Sequence, residues 1–353
     1  MKIARKSDYV SSDEGWTEPG AYLVAPDVYR IPLPLPGDAL KAINVFAVQS
    51  DRSLTLIDTG WHSVDSWKAL GRGLRLVGAA PGDVSRMLVT HVHYDHYGQA
   101  AALRRFSGAP VALGSGERRS VNFMVSGSVA AGKADRDSRL AQAGAWELIS
   151  KLRRHLDTVD GVRGVRWERP DSWIVDRQIL RVGGRELQVI ATPGHTQGHV
   201  TFLDAAAGLL FAGDHVLPHI TPSIGFQPMS DRFALVDFLE SLVKVRDLPV
   251  HIVLPAHGPP FADLRARVDV LMDHHADRLV SARAAFVDDS TLTALDVAQR
   301  LVWTRRDEPY ASLDVFNQAL AVLETAAHLD LLVLQKALEQ VNIDGVRHYL
   351  MPG

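Results

Sequence analysis

The 353-residue sequence has no cysteine. That excludes disulfides and every thiolate metal site, and it leaves the redox compartment open. It has little net charge, formally −3, so the whole molecule has no excess with which to attract a polyanion. No stretch approaches ~20 uninterrupted apolar residues, and no membrane span is expected. The opening residues, MKIARKSDYVSSDEGW, are basic early on but have no apolar run behind them. No secretory signal is read there, and a cytoplasmic location is the default expectation. Low-complexity tracts and fixed-period repeats are also missing. The rest is ordinary for a globular chain, with 46% apolar and 22% charged residues. The length suggests one large domain with an accessory piece, or two domains.

Residues 43–60 read as two β-runs around a polar turn at Ser50–Ser53, and 63–77 as a helix. SRMLVTHVH reads as a buried strand ending at His91. HYGQAAALRRF follows as a helix and GAPVALG as a strand. The segment 115–175 breaks this rhythm: it is rich in Arg, Ala and Leu and patterned as an inserted helical region. Strands return in RELQVIATPGH, HVTFLDAAAGLLFAGD and HIVLPAHG, the second of these as a hairpin. From 261 the pattern is helical, with candidate helices at 261–286, 291–302, 312–328 and 330–341. Hairpin-joined strands with interleaved helices predict an α/β architecture, a sheet-on-sheet core flanked by helices and followed by a helical tail.

The residues with the most chemistry are in THVHYDH. His91 closes a strand, Asp95 and His96 open a helix, and the side chains at 91 and 93 alternate in step toward one side. A single corner therefore presents four groups of the kind that bind zinc, iron or manganese. Three later strand ends repeat the theme: His195 in ATPGHTQGH, Asp214 in FAGDH and His257 in LPAHGPP. Loops at strand ends are where sites are built.

THVHYDH resembles the HxHxDH signature of the metallo-β-lactamase superfamily. LIDTG (Asp58), PGHTQGH, AGD and PAHG resemble that family's other motifs, in its order. The resemblance spans about residues 20–260 and implies an αββα sandwich with a two-metal site at one edge of the sheets. It places His91, His93 and His195 on one metal and Asp95, His96 and His257 on the other, with Asp214 bridging. Asp58 is implied as the supporting buried acid, and His199 as structural or supporting. The resemblance thereby implies a dinuclear hydrolase with two divalent ions, zinc by default, iron or manganese as alternatives. Two ions ~3.5–4 Å apart share and activate one water as a bridging hydroxide. Asp95 is expected to combine metal binding with proton handling. His93, where the oxygen-reducing branch has Glu, favours hydrolysis over redox chemistry.

For a substrate, a thioester of the acyl-CoA or glutathione type is expected, as in the glyoxalase II-like branch. A lactonase or other ester hydrolase, an endoribonuclease and a non-catalytic metal-binding regulator are the alternatives. A true β-lactamase is disfavoured by the missing cysteine and by aspartate at 214. Residues 261–353 resemble a winged-helix extension, with FNQALAVLETAAHLDLLVLQKAL as a helix–turn–helix pair and VNIDGVRHYLM as the wing. They hold 9 Lys+Arg against 14 Asp+Glu, net −5, a poor charge for a nucleic-acid reader. The tail is therefore expected to mediate a homodimer or to close the pocket, and the substrate to be a small molecule. The insert, with 11 Lys+Arg against 8 Asp+Glu, reads as a solvated helix face or as a contact for an anionic substrate. Tyr94, His215 and His219 are candidates for the pocket wall, with packing as the equal alternative. His62 reads as structural, and His274 and His275 as solvated or at a domain contact.

Overall fold

The computed structural model describes residues 15–35, 40–50, 53–126, 129–157, 165–226, 232–287, 291–304 and 306–353. The first 14 residues, where no leader was read, and residues 158–164 of the insert lie outside it. Seven strands form one sheet in chain order: β1 (Tyr22–Ala25), β2 (Val28–Pro34), β3 (Ala42–Ser50), β4 (Ser53–Ile57), β5 (Val84–Val89), β6 (Val111–Gly114) and β7 (Ser172–Ile174). The second sheet is ordered β12-β11-β10-β9-β8, from β8 (Ile179–Val182), β9 (Arg185–Ala191), β10 (Val200–Asp204), β11 (Leu209–Gly213) and β12 (Ile252–Pro255). β4 to β7 run parallel, as do β11 and β12.

In the central strands both faces are apolar, because successive side chains point opposite ways and both sides are covered, whereas the edge strand β8 alternates exposed and buried. On β3 and β5, Phe46, Val48 and Leu88 face the second sheet and meet Val189, Phe202 and Phe211. Phe46 and Phe211 touch edge to face at 5.4 Å. Ile43, Val45, Met87 and Val89 face outward against α1 (Val64–Leu76) and, beyond the short turn α2 (Tyr94–Tyr97), α3 (Ala100–Ser107). α1 begins where Ser63 caps the Ser66 N–H, with Asp65 in the first turn and Arg75 in the last, both favourable to the helix dipole. The insert supplies α4 (Arg118–Val125), α5 (Val129–Gln142) and α6 (Trp146–Leu156), and its end supplies the edge strand β7. On the outer face of the second sheet, Ile190, Leu203 and Leu210 pack against α7 (Ala234–Arg246) and α8 (Leu264–Ala284). The result is the expected αββα sandwich. No helix among the described residues is long and apolar enough to cross a membrane.

The tail departs in detail from its sequence reading. After β13 (Leu292–Thr293), α9 (Ala294–Arg300) and the small hairpin β14 (Val302–Trp303) and β15 (Glu308–Pro309) comes a single long helix, α10 (Val315–Leu334). The helix–turn–helix pair expected here is one helix. Asp314 caps its first turn, and no Gly or Pro interrupts it. The segment expected to be helical up to 341 instead turns into β16 (Glu339–Ile343), which pairs with β17 (Val346–Leu350) as the wing, beside β13. Nor is the tail packed only on itself. Leu140, Leu148 and Leu152 of the insert share one apolar cluster with Val297, Val322, Leu329 and Tyr349.

Candidate metal centre

Strands β4 and β5 of the first sheet and β9, β11 and β12 of the second end at one edge of the sandwich, so the loops beyond them meet. β5 stops at Val89, two residues earlier than expected, so that Thr90, His91 and Val92 already belong to the loop. His93 precedes α2, which delivers Asp95 and His96. His195 follows β9, Asp214 follows β11 and His257 follows β12.

Two groups of donor atoms result: His91, His93, His195 and Asp214 in one, Asp95, His96 and His257 in the other. Within each, the atoms lie within 4.8 Å of one another. In the first, His93 Nδ1 is 3.0 Å from both His91 Nε2 and His195 Nε2. Asp214 Oδ2 is 3.4 Å from His195 Nε2. In the second, Asp95 Oδ2 is 3.2 Å from His257 Nε2 and 3.5 Å from His96 Nε2. The other oxygen of Asp214, Oδ1, faces this second group, 3.4 Å from His257 Nε2 and 3.5 Å from His96 Nε2. Asp214 thus turns one oxygen to each group.

The surroundings fix the tautomers. His195 Nδ1 donates to the Ser223 carbonyl and His257 Nδ1 to the Ala42 carbonyl, each at 2.8 Å. His96 Nδ1 lies 2.9 Å from Asp58 Oδ2. Asp58 also accepts the Thr90 N–H at 2.8 Å and the Thr90 hydroxyl at 3.0 Å. With its proton so directed, that hydroxyl is left to accept from His91 Nδ1 at 3.1 Å. Each of these rings therefore turns its Nε2 inward, the arrangement that orients metal-bound histidines. His199 acts one step further out: its Nε2 accepts the Asp214 N–H at 3.1 Å, and its Nδ1 donates to Thr192 Oγ1 at 2.8 Å.

The donor set fits divalent cations. His96 Nε2, His257 Nε2 and Asp214 Oδ1 are buried, have no hydrogen-bond partner and face one another. Leaving three such atoms unsatisfied costs about 1–3 kcal/mol each, which a shared cation removes. Electrostatics agree. Burial opposes charge on His257 and His96, yet the carboxylates around them outweigh it: Asp214 and Asp95 hold His257 up at about 9, and Asp95, Asp58 and Asp214 hold His96 well above its ordinary value. Burial would likewise raise Asp95, but His96 and His257 bring it down to about 2. Burial and neighbouring imidazoles keep His91 far below its usual range and His93 down at about 3, neutral and ready to ligate.

The expected pocket residues divide. Tyr94 is half-buried beside Trp167, with ring centroids 5.1 Å apart, and Trp61 at 6.1 Å. Burial raises its pKa, so it stays a neutral phenol. His219 is half-buried, in the 215–226 segment that Arg267 anchors through the Leu217 and Ile220 carbonyls. His215, for which pocket wall and packing were equal alternatives, is fully buried between His199 and Phe238. Part of the insert's positive charge is paired with its own carboxylates: Arg136 and Arg153 with Asp137, Arg139 with Asp135 and Arg166 with Glu168. Met124, Val125 and Trp167 pack against the outer core. Thr90 is missed by sequence reading, although it directly precedes the motif. One hydroxyl serving three side chains has no spacing signature.

Comparison with known proteins agrees with the geometry. The sequence profile of the metallo-beta-lactamase superfamily matches residues 39–257. The chain is 26% identical to the probable metallo-hydrolase YqjP of Bacillus subtilis, over 88% of this chain and 94% of that one. It is similar in structure to a metallo-beta-lactamase family protein of Thermus thermophilus, with a TM-score of 0.77 and 28% identity over 93% of this chain and all of the other. It is also 24% identical to an atrochrysone carboxyl ACP thioesterase of Aspergillus fumigatus, over 69% of this chain and 44% of the relative.

Proposed function

The chain belongs to the metallo-beta-lactamase superfamily, and on that premise we propose that it is a two-cation hydrolase of thioesters, acting on a small acyl conjugate in the cytoplasm. The observation that carries the reading is Asp214, one of whose oxygens lies 3.4 Å from His195 Nε2 and 4.0 Å from His91 Nε2, and the other 3.4 Å from His257 Nε2 and 3.5 Å from His96 Nε2. His91, His93 and His195 would hold one ion with Asp214, and Asp95, His96 and His257 the other. Zinc suits this nitrogen-and-carboxylate set, and iron and manganese are the alternatives. What two such ions supply when bound is a water nucleophilic near neutral pH and a polarised scissile carbonyl.

The protein's own groups do the rest. Asp95, ionised at neutral pH, accepts a hydrogen bond from the attacking water and orients it. Tyr94 stands next to this corner as a neutral donor toward the oxygen that gains charge. Asp58, Thr90 and His199 keep the rings and the Asp214 carboxylate in register. No side-chain nucleophile is required, and the sequence has no cysteine to supply a thiolate one.

The thioester is favoured over other acyl bonds by the relative named for acting on a carrier-protein thioester. A lactone or simple ester would suit the same geometry. Against an RNA substrate stands the tail's net charge of −5. The test is a hydrolysis panel with metal analysis. Acyl-CoA and glutathione thioesters should turn over faster than lactones, β-lactams, phosphodiesters and RNA, in protein carrying about two ions per chain. Faster RNA cleavage would replace the thioester reading, and a reproducible single ion would remove the second cluster from it.

A further inference from the structure

Two fully buried side chains that contribute no atom to either donor group reach the loops that carry them: Glu117 and Asn44. Glu117 ends a 3-10 turn between β6 and α4. Its Oε1 accepts from the Thr196 hydroxyl, next to His195, and makes a longer contact of 3.4 Å with the Val92 N–H, between His91 and His93. One carboxylate thereby ties together the two loops that carry the three imidazoles of the first group. The backbones there lie in direct contact: a Cβ on Gly114, Gly116 or Gly198 would overlap the opposing chain. The 195–198 loop therefore has no room to slide over the Glu117 turn.

Asn44 does the same for the second group from the other side of the sandwich. It lies on β3 of the first sheet, whereas His257 follows β12 of the second. Its Nδ2 donates to the Pro255 carbonyl at 2.9 Å and the Gly258 carbonyl at 2.7 Å. Its backbone N–H donates to the Ala256 carbonyl at 2.7 Å. Arg30 Nη1 donates to Asn44 Oδ1 at 2.9 Å, which settles the orientation of the amide: oxygen to the guanidinium, nitrogen to the carbonyls. Two residues earlier on β3, Ala42 accepts from the His257 ring itself. The carbonyls of Pro255, Ala256 and Gly258 and the ring of His257 are thus all held by β3.

We infer that Glu117 and Asn44 are positioning residues, one for each cation site. Glu117 sets the spacing of His91, His93 and His195, and Asn44 sets the place of His257, so the two affinities are tuned separately. This rests on the two-cation reading above. Asn44→Asp keeps the shape but turns a carboxylate oxygen toward two carbonyls. Glu117→Met keeps the length without an acceptor, and Glu117→Gln restores the accepting oxygen.

The full-length protein, stripped of metal, is titrated with Zn²⁺ against a chromogenic chelator, with circular dichroism and thermal unfolding of each metal-free variant alongside. Asn44→Asp should weaken one of two sites about 10–100-fold and spare the other, the usual size of an effect on a ligand's supporting partner. Glu117→Met should weaken the opposite site to a similar degree, with Glu117→Gln close to the parent. In a His257→Ala background Asn44→Asp should add nothing, while Glu117→Met keeps its full effect. If both variants weaken both sites alike, or neither site, in a parent that takes up two ions, the inference falls. A parent that takes up one ion or none overturns the two-cation reading itself, and the titration separates these cases. Should a buried substitution prevent folding, Thr196→Val and Arg30→Gln loosen the same two contacts from their far ends and carry the same predictions.

Discussion

Asp58 follows β4 at φ +63°, a left-handed backbone that aspartate tolerates better than most residues but that still carries strain. The strain has a use, because it turns the carboxylate back to meet Thr90 with one oxygen and His96 Nδ1 with the other. Asp58→Asn preserves the volume and tests which property matters. With the amide oxygen kept on the Thr90 N–H, the amide nitrogen faces His96 Nδ1. That ring must then accept at Nδ1 and carry its proton on Nε2, pointing into the second donor group. The expected outcome is a fold unchanged by circular dichroism and Zn²⁺ affinity at one site lowered about 10–100-fold. Titration of the metal-stripped variant reads this directly, and parental affinity at both sites would show that the ring's tautomer is not set by Asp58.

At the scale of elements, α10 is the part the sequence hides best. Every residue from 325 to 332 is buried, including Thr325, His328 and Asp330, so the polar–apolar alternation that marks a surface helix is missing. Without it, the Ala–His–Leu–Asp stretch reads as a turn between two helices. Strands β4, β5, β9, β11 and β12 were legible for the opposite reason: short apolar runs, each leading into a residue of the metal motif, whereas β1, β2, β7 and β8 lead into none and were not read. Glu117 and Asn44 were not, since their partners lie up to 79 and 214 residues away along the chain and nothing local announces them. Continuity of α10 makes Leu329 a critical position, fully buried in the cluster shared with the insert. Leu329→Ala should cost about 2–5 kcal/mol of stability, the range for emptying such a site. Urea unfolding of the metal-free protein measures it, and a loss below about 1 kcal/mol would mean that the helix relaxes around the gap, as an exposed turn would.

For the whole molecule, the tail is bound to the sandwich through a row of rings. From His199, beside the metal-binding residues, His215 is 6.1 Å away, Phe238 5.2 Å further, His275 of α8 another 5.5 Å and His328 of α10 another 5.2 Å. His275 was expected to be solvated or at a domain contact, and it is the contact, fully buried. His328 Nδ1 donates to the Glu324 carbonyl at 2.8 Å, so its Nε2 accepts from His275 Nδ1 at 3.1 Å. The contact therefore requires a neutral His328, and burial opposes charge on His275. Burial holds His275 down at about 2, helped by His328 and Arg278, and holds His328 down at about 4. The unfolded chain takes up protons on both rings below about 6.5, whereas the folded chain does so only near 4 and then near 2. Their stabilisation is thus complete above pH 6.5 and drains away as the pH falls, by on the order of 3 kcal/mol for His328 alone between 6.5 and 4. The variant His275→Met with His328→Leu should lose that part of the acid sensitivity while the metal-binding histidines, common to both proteins, titrate as before. Urea midpoints of the two metal-free proteins from pH 7 to 4 should converge or cross as the acid limb is approached. Parallel curves would place the origin of acid sensitivity elsewhere than at the junction of α8 and α10.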